Sequence, residues 1–118
     1  MNQEKLLHLL NTSPHAVEFD DVMTVIADNY HYAPTRFSNG LHPDQVINEA
    51  GSNEGSCRIF AFAQHNGLNE QQTLDCFGRY YREDVLQHPD GDDHANIRCF
   101  MRHGWPGIRF EGTALTPR

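Results

Sequence analysis

The apolar positions of this chain recur mostly at helical spacings, interrupted by Pro, Gly and Asn signals. Leu6, Leu7, Leu9 and Leu10 give an apolar side to a first helix over residues 3–11, and Asn11-Thr12-Ser13-Pro14 ends it. Ser13-Pro14 reads as the start of a second helix, because Ser accepts from orphan amides and Pro suits a first turn that needs no donor. Within that helix Phe19, Val22, Met23, Ile26 and Tyr30 fall at i, i+3, i+4, i+7 and i+11. They form one continuous face, with Glu18, Asp20, Asp21 and Asp28 mostly off it.

A third helix is predicted over residues 54–64, closed by Gly67 after His65-Asn66. Its centre, Cys57 to Ala63, is apolar nearly all round, which places it in the middle of the domain. Asn69 caps a fourth helix over residues 70–87, with Leu74, Phe77, Tyr81 and Val85 on one face and His88-Pro89-Asp90-Gly91 as its stop. Asp92 or Asp93 is expected to cap a fifth over residues 94–103, which carries Ile97, Phe100 and Met101 and ends at Gly104. Trp105 follows and is expected to seal an edge of the core.

Residues 32–51 are less regular. Ala33-Pro34 and His42-Pro43 disfavour helix at the residue before each proline, and Asn39-Gly40 signals a turn. Thr35-Arg36-Phe37 reads as a short strand and residues 43–49 as a single helical turn. Ile108-Arg109-Phe110-Glu111-Gly112 alternates like a strand and is the natural partner for the first of these. The expected fold class is mainly α: a compact five-helix single domain over residues 1–118, with a short two-stranded β ribbon near 35–37 and 108–110.

At 118 residues the chain is long enough for one core and too short for two. A net charge of −7 argues against nucleic acid, which needs a Lys/Arg surplus on one face, and against docking on anionic lipid. Eight histidines could offset the acids near pH 5–6. Three widely spaced cysteines without a CxxC pair do not form a disulfide framework, so Cys57, Cys76 and Cys99 are expected to be buried thiols in a reducing compartment. No apolar run reaches the length of a membrane span, and the first residues lack a secretory pattern, so the cytoplasm is the expected location.

The segment Arg82 to Asn96 concentrates candidate chemistry. Glu83, Asp84, Asp90, Asp92 and Asp93 lie with His88 and His94 around one Pro/Gly turn. Imidazole and carboxylate are zinc-type ligands, which makes His88, Asp90 and His94 a candidate metal site. The spacing matches neither HExxH nor a calcium loop, and a solvated turn with ordinary caps accounts for the same residues. Cys57, in the first turn of its helix, is a candidate nucleophile whose thiol the helix dipole would acidify, with Glu54 beside it and His88 as a base. A buried structural cysteine is the commoner state for such an apolar setting. Asn53, Glu54 and Ser56 at the same helix start could bind an anion through free amides, though capping by Asn53 explains them as well. Arg82 is expected to clamp an acid across its helix turn.

Three blocks carry a resemblance. They are Asn53-Glu-Gly-Ser-Cys-Arg-Ile-Phe-Ala-Phe-Ala63, Tyr80-Tyr-Arg-Glu-Asp-Val-Leu-Gln-His-Pro-Asp-Gly91 and Asn96-Ile-Arg-Cys-Phe-Met-Arg-His-Gly-Trp105. Phe37-Ser-Asn-Gly40 and Gly112-Thr-Ala-Leu115 match more loosely. Together they resemble the HopJ type III effector family over residues from about 30 to the end. The resemblance implies a small protein of the kind a plant pathogen delivers into host cells, and it implies no catalytic residue and no cofactor. The reading that follows is a binding or interaction module with a protein or small-molecule partner. A small hydrolase using a metal on the His88–His94 segment, or Cys57, is the alternative.

Overall fold

The computed structural model describes residues 1–118. Helix α1 (Gln3–Thr12) starts where the Asn2 side chain accepts from the Lys5 amide at 2.8 Å, and it buries Leu6 and Leu10. Helix α2 (Phe19–Asn29) buries Val22, Val25 and Ile26. It begins later than Ser13-Pro14 suggested. Pro14–Ala16 form only a 3-10 turn, closed by the Ala16 and Val17 amides on Ser13 and Pro14 carbonyls. Val17 then turns extended and is fully buried, so its burial wins over continuation of the helix.

Helix α3 (Glu54–His65) crosses the centre as its composition requires, burying Cys57, Ile59, Phe60, Phe62 and Ala63. The expected fourth helix is instead two pieces. Helix α4 (Glu70–Asp75) opens with a capping box between Asn69 and Gln72, and stops ahead of Gly78. Gly78 has φ +60°, and a Cβ there would lie 2.7 Å from the Phe19 amide nitrogen. Only glycine lets the chain turn left-handed against the start of α2. Tyr80–Val85 then resume as a wide π-helical turn that buries Tyr81 and Val85. Helix α5 (Ala95–His103) buries Asn96, Ile97, Cys99 and Phe100.

The expected pairing of the two ribbon segments forms, with Phe37 opposite Phe110 and Ser38 opposite Arg109. It is part of more sheet than the sequence suggested. Strands β2 (Phe37–Asn39), β3 (Val46–Asn48) and β4 (Arg109–Phe110) make an antiparallel sheet in the order β3-β2-β4. Residues 43–49 therefore contribute a strand and not a helical turn, because the Asn39-Gly40 reversal brings Val46 opposite Asn39 and folds a hairpin. A second ribbon joins β1 (Tyr30–Tyr32) to β5 (Leu115–Pro117), tying the C-terminus to the end of α2. The fold is mainly helical with short antiparallel strands.

Phe60 lies at the middle of the core. Its ring meets those of Phe100 at 5.0 Å, Phe77 at 5.6 Å, Phe37 at 5.9 Å and Trp105 at 6.4 Å, centroid to centroid. Trp105 covers the core edge, its indole N–H donating to the Leu68 carbonyl at 3.1 Å. All three cysteines are free and buried.

Four asparagines join the sheet to two helix starts. Asn48 and Asn96 exchange side-chain hydrogen bonds in both directions, at 3.1 and 2.8 Å. Asn39 donates to the Asn96 carbonyl and side-chain oxygen, and Asn53 donates to the Asn48 side-chain oxygen at 2.7 Å. Asn39, Asn48 and Asn96 are buried, so these bonds replace water that the groups would otherwise need. Asn48→Ala would leave the Asn96 and Asn53 amide groups without their shared acceptor. It should lower unfolding free energy by on the order of 2 kcal/mol, measured by urea denaturation, since the buried Asn96 orphan costs roughly 1–3 kcal/mol while the exposed Asn53 returns to water.

Candidate functional site

A cleft of about 250 Å³ opens where α3 and α5 begin. Asn53, Gly55 and Ser56 line it from α3, and His94, Ala95, Asn96 and Ile97 from α5. Phe19, Phe77 and Tyr80 supply an aromatic wall, and Val46 comes from β3. Neither helix has a side-chain cap. Asn53 was expected to cap α3, and Asp92 or Asp93 to cap α5. Instead Asn53 and His94 each enter their helix in the left-handed region, both at φ 51°. The Asn53 side chain turns inward to Asn48, and Asp93 is taken by Arg98. The amides of Glu54, Gly55, Ser56, Ala95, Asn96 and Ile97 consequently have no protein acceptor. All of these residues but Glu54 line the cleft, so donors at the positive ends of two helices border one space.

The packing of Phe19 shapes this space. Its ring meets Tyr80 edge-on at 5.1 Å, and a Cβ on Gly55 would lie 2.9 Å from its tip. Glycine at position 55 keeps the floor of the cleft low. His94 lies 5.2 Å from the Tyr80 ring and takes a 2.9 Å hydrogen bond between its Nε2 and Asp84. Arg82 does not hold an acid of its own turn. It donates to the Val17 carbonyl at 3.0 Å and pairs with Glu18 at 3.4 Å, fixing the approach to Phe19.

The expected metal ligands separate in space. His94 gathers with Asp84 and Asp93, their ligand atoms within 4.8 Å of one another, while His88 and Asp90 belong to no such group. His88 and Asp90 are exposed on the turn that follows the π-helical segment. Arg98 occupies the middle of that turn. It donates to the carbonyls of His88 (2.9 Å), Asp93 (2.7 Å) and Asp84 (3.3 Å), and to the Asp93 carboxylate at 2.6 Å. The Arg98 guanidinium holds the Asp93 carboxyl below the usual carboxylate range.

Cys57 and Glu54 share a separate cluster beside β1. The Tyr32 hydroxyl donates to Glu54 at 3.2 Å, the Cys57 thiol lies 3.6 Å from the Thr35 carbonyl, and the Arg58 guanidinium covers the Tyr32 ring at 4.0 Å. Burial pushes the Cys57 thiol up, and it pushes Tyr32 up further with help from Cys57 and Glu54. Cys57 is 1% exposed and does not line the cleft. Phe19 and Asn96 were not anticipated as site residues. The available signal was Asn96 standing beside Ile97 in an otherwise apolar helical row, where a polar residue needs a partner.

The fold and the cleft define a small, mainly helical single-domain protein with paired helix starts at one opening. The chain belongs to the HopJ type III effector protein family, whose model matches residues 3–115. It is similar over its whole length to a protein of unknown function, VPA0580, whose crystal structure superposes with a TM-score of 0.94 at 50% identity and 95% coverage of that chain. No curated protein matches it. No helix is long and apolar enough to cross a membrane.

Two outcomes are expected at these positions. With its pKa raised, Cys57 stays a protonated, covered thiol at neutral pH. Disulfide-exchange labelling of the native protein should therefore be slow at Cys57 and at Cys76, whose thiol is pushed up to about 12, and become fast on unfolding. Asp93 has a lower pKa folded than unfolded, so its contact with Arg98 stabilises fully above the ordinary carboxylate pKa and fades as pH falls through the depressed one. NMR titration should show the Asp93 midpoint below that of a free aspartate, and Arg98→Gln should return it to the ordinary range.

Proposed function

We propose that this protein is a binding module whose cleft between the starts of α3 and α5 takes a small ligand carrying a carboxylate or phosphate. The observation that carries this reading is the set of unpartnered first-turn amides from two helices on one aromatic-walled cleft. Donors placed in this way recognise acceptor oxygens, and helix starts favour negative charge. Phe19, Phe77 and Tyr80 offer a flat apolar surface to the rest of such a molecule. The cleft is small, which favours a molecule of about one ring over a peptide.

The net charge of −7 works against anions at long range, but salt screens that field beyond about 8–10 Å. The carboxylates beside His94 are already engaged, Asp84 by His94 and Asp93 by Arg98, and Glu54 accepts from the Tyr32 hydroxyl. Binding accounts for the site better than nucleophilic catalysis by Cys57. That thiol is buried outside the cleft and its pKa is raised, the opposite of an activated nucleophile.

Amide-detected NMR titration with benzoate, inorganic phosphate and benzyl alcohol tests the reading. Benzoate should give saturable shifts centred on residues 54–56 and 95–97, phosphate should shift the same amides, and benzyl alcohol should leave them in place. Ser56→Phe, which fills the cleft from α3, should weaken benzoate by about tenfold, some 1.4 kcal/mol. Absence of saturable shifts at those amides with both acids, or benzoate affinity untouched by the filled cleft, overturns it.

A further inference from the structure

The far end of α5 carries a second constellation, beyond the first-turn residues that line the cleft. Cys99 and His103 are one turn apart, so their side chains leave the same face. The turn between β2 and β3 brings Asp44 against them. The His103 Nε2 and the Asp44 carboxylate are 2.9 Å apart, and one ligand atom from each of Asp44, Cys99 and His103 falls within 4.8 Å of the other two. We propose that Cys99, His103 and Asp44 bind a divalent cation of the zinc type through sulfur, imidazole nitrogen and carboxylate oxygen.

The donor set selects the metal class. A thiolate and an imidazole suit zinc and other late transition metals, whereas magnesium and calcium take oxygen alone. Charge balances as well: one thiolate and one carboxylate neutralise a dication, and the thiol proton is released to solvent as the metal–sulfur bond forms. In the metal-free arrangement that thiol lies 3.3 Å from the Asn39 carbonyl and 3.6 Å from the Asp44 carbonyl.

The surroundings are built closely. Gly40, at φ +97°, backs the site, and a Cβ there would lie 2.4 Å from the Cys99 sulfur and 3.3 Å from the His103 ring. Gly107 packs behind Gly40 just as tightly, with a Cβ meeting the Gly40 nitrogen at 2.6 Å. The opposite side is open, since the Asp44 side chain is 47% exposed and that of His103 is 20% exposed. Three protein ligands and one open side leave a coordination position for water. Arg102, half exposed, donates to Asp44 at 2.7 Å and can orient that carboxylate from outside.

The Asp84–Asp93–His94 group is the weaker candidate for a metal. Arg98 fills its centre, 11% exposed and held by three carbonyls and the Asp93 carboxylate. A fixed cation stands there in place of an added one. Arg102 differs in exposure: its side chain is 51% exposed, and it reaches the Asp44 carboxylate and the Cys99 sulfur without a backbone carbonyl to hold it.

Cobalt(II) titration of tag-free, chelator-treated protein tests the proposal, because a thiolate–cobalt bond gives a near-ultraviolet charge-transfer band. One equivalent should saturate the band, zinc should abolish it by displacement, and about one proton should be released per metal. Cys99→Ser should lose the band while Cys57→Ser and Cys76→Ser keep it. Asp44→Asn, on an exposed turn where the fold is not at risk, should weaken cobalt by at least about tenfold. A missing band at one equivalent, a band that survives in Cys99→Ser, or unchanged affinity in Asp44→Asn overturns the assignment. These measurements are independent of ligand binding at the cleft.

Discussion

The buried asparagine network is the constraint on which the candidate site depends. Asn48 and Asn96 satisfy each other, Asn39 adds two donations to Asn96, and Asn53 adds one to Asn48. Each side chain taken into this network is withheld from the role its position suggests. Asn53 at the start of α3 would ordinarily cap that helix, yet it turns inward and leaves the first-turn amides open. Asn96 lies in the first turn of α5 and anchors that turn to β2 and β3. A single set of bonds therefore ties both helix starts to the sheet and leaves α3 uncapped, while Arg98 takes Asp93 from the start of α5.

The central helix and the apolar faces of α1, α2 and α5 were legible because burial there follows a regular period. Phe60 and Phe62 needed no further information than their place in an apolar run. The break after α4 was not legible, since Leu74, Phe77, Tyr81 and Val85 keep a helical spacing straight through it. What ends the helix is the contact of Gly78 with the backbone at Phe19, 59 residues earlier in a chain whose local pattern says nothing of it. The strand at Val46–Asn48 was hidden for a related reason. Its inward residue is Asn48, a polar side chain that becomes a core residue only through Asn96.

The candidate site was legible in part. The sequence singled out the Arg82–Asn96 segment and the start of α3, and both border the cleft through His94, Asn53 and Ser56. It grouped His94 with His88 and Asp90, whereas the turn places His94 beside Asp84 and Asp93. Sequence proximity misled here because Arg98, from the following helix, gathers the carbonyls of residues 84, 88 and 93 and sets the course of the loop. A long-range donor organises a turn that looks local.

Helix α5 links the two ends of this molecule. Its first turn is held by Asn39 and Asn48 from the β2–β3 hairpin, and its last turns by Asp44 from the loop of the same hairpin. Between them the Cys99 sulfur approaches the carbonyls of both Asn39 and Asp44. The hairpin thus grips one short helix along its length through polar contacts, beside the face that Ile97 and Phe100 turn to the core. Most helices this short depend on an apolar face alone to stay in place. Here polar bonds with narrow geometric tolerance fix the rotation of α5 about its axis, which apolar packing alone leaves softer. That rotation decides whether the amides of Asn96 and Ile97 face the cleft and whether Cys99 and His103 face Asp44. The same hairpin therefore sets the geometry of both constellations, and a change in its turn would reach both.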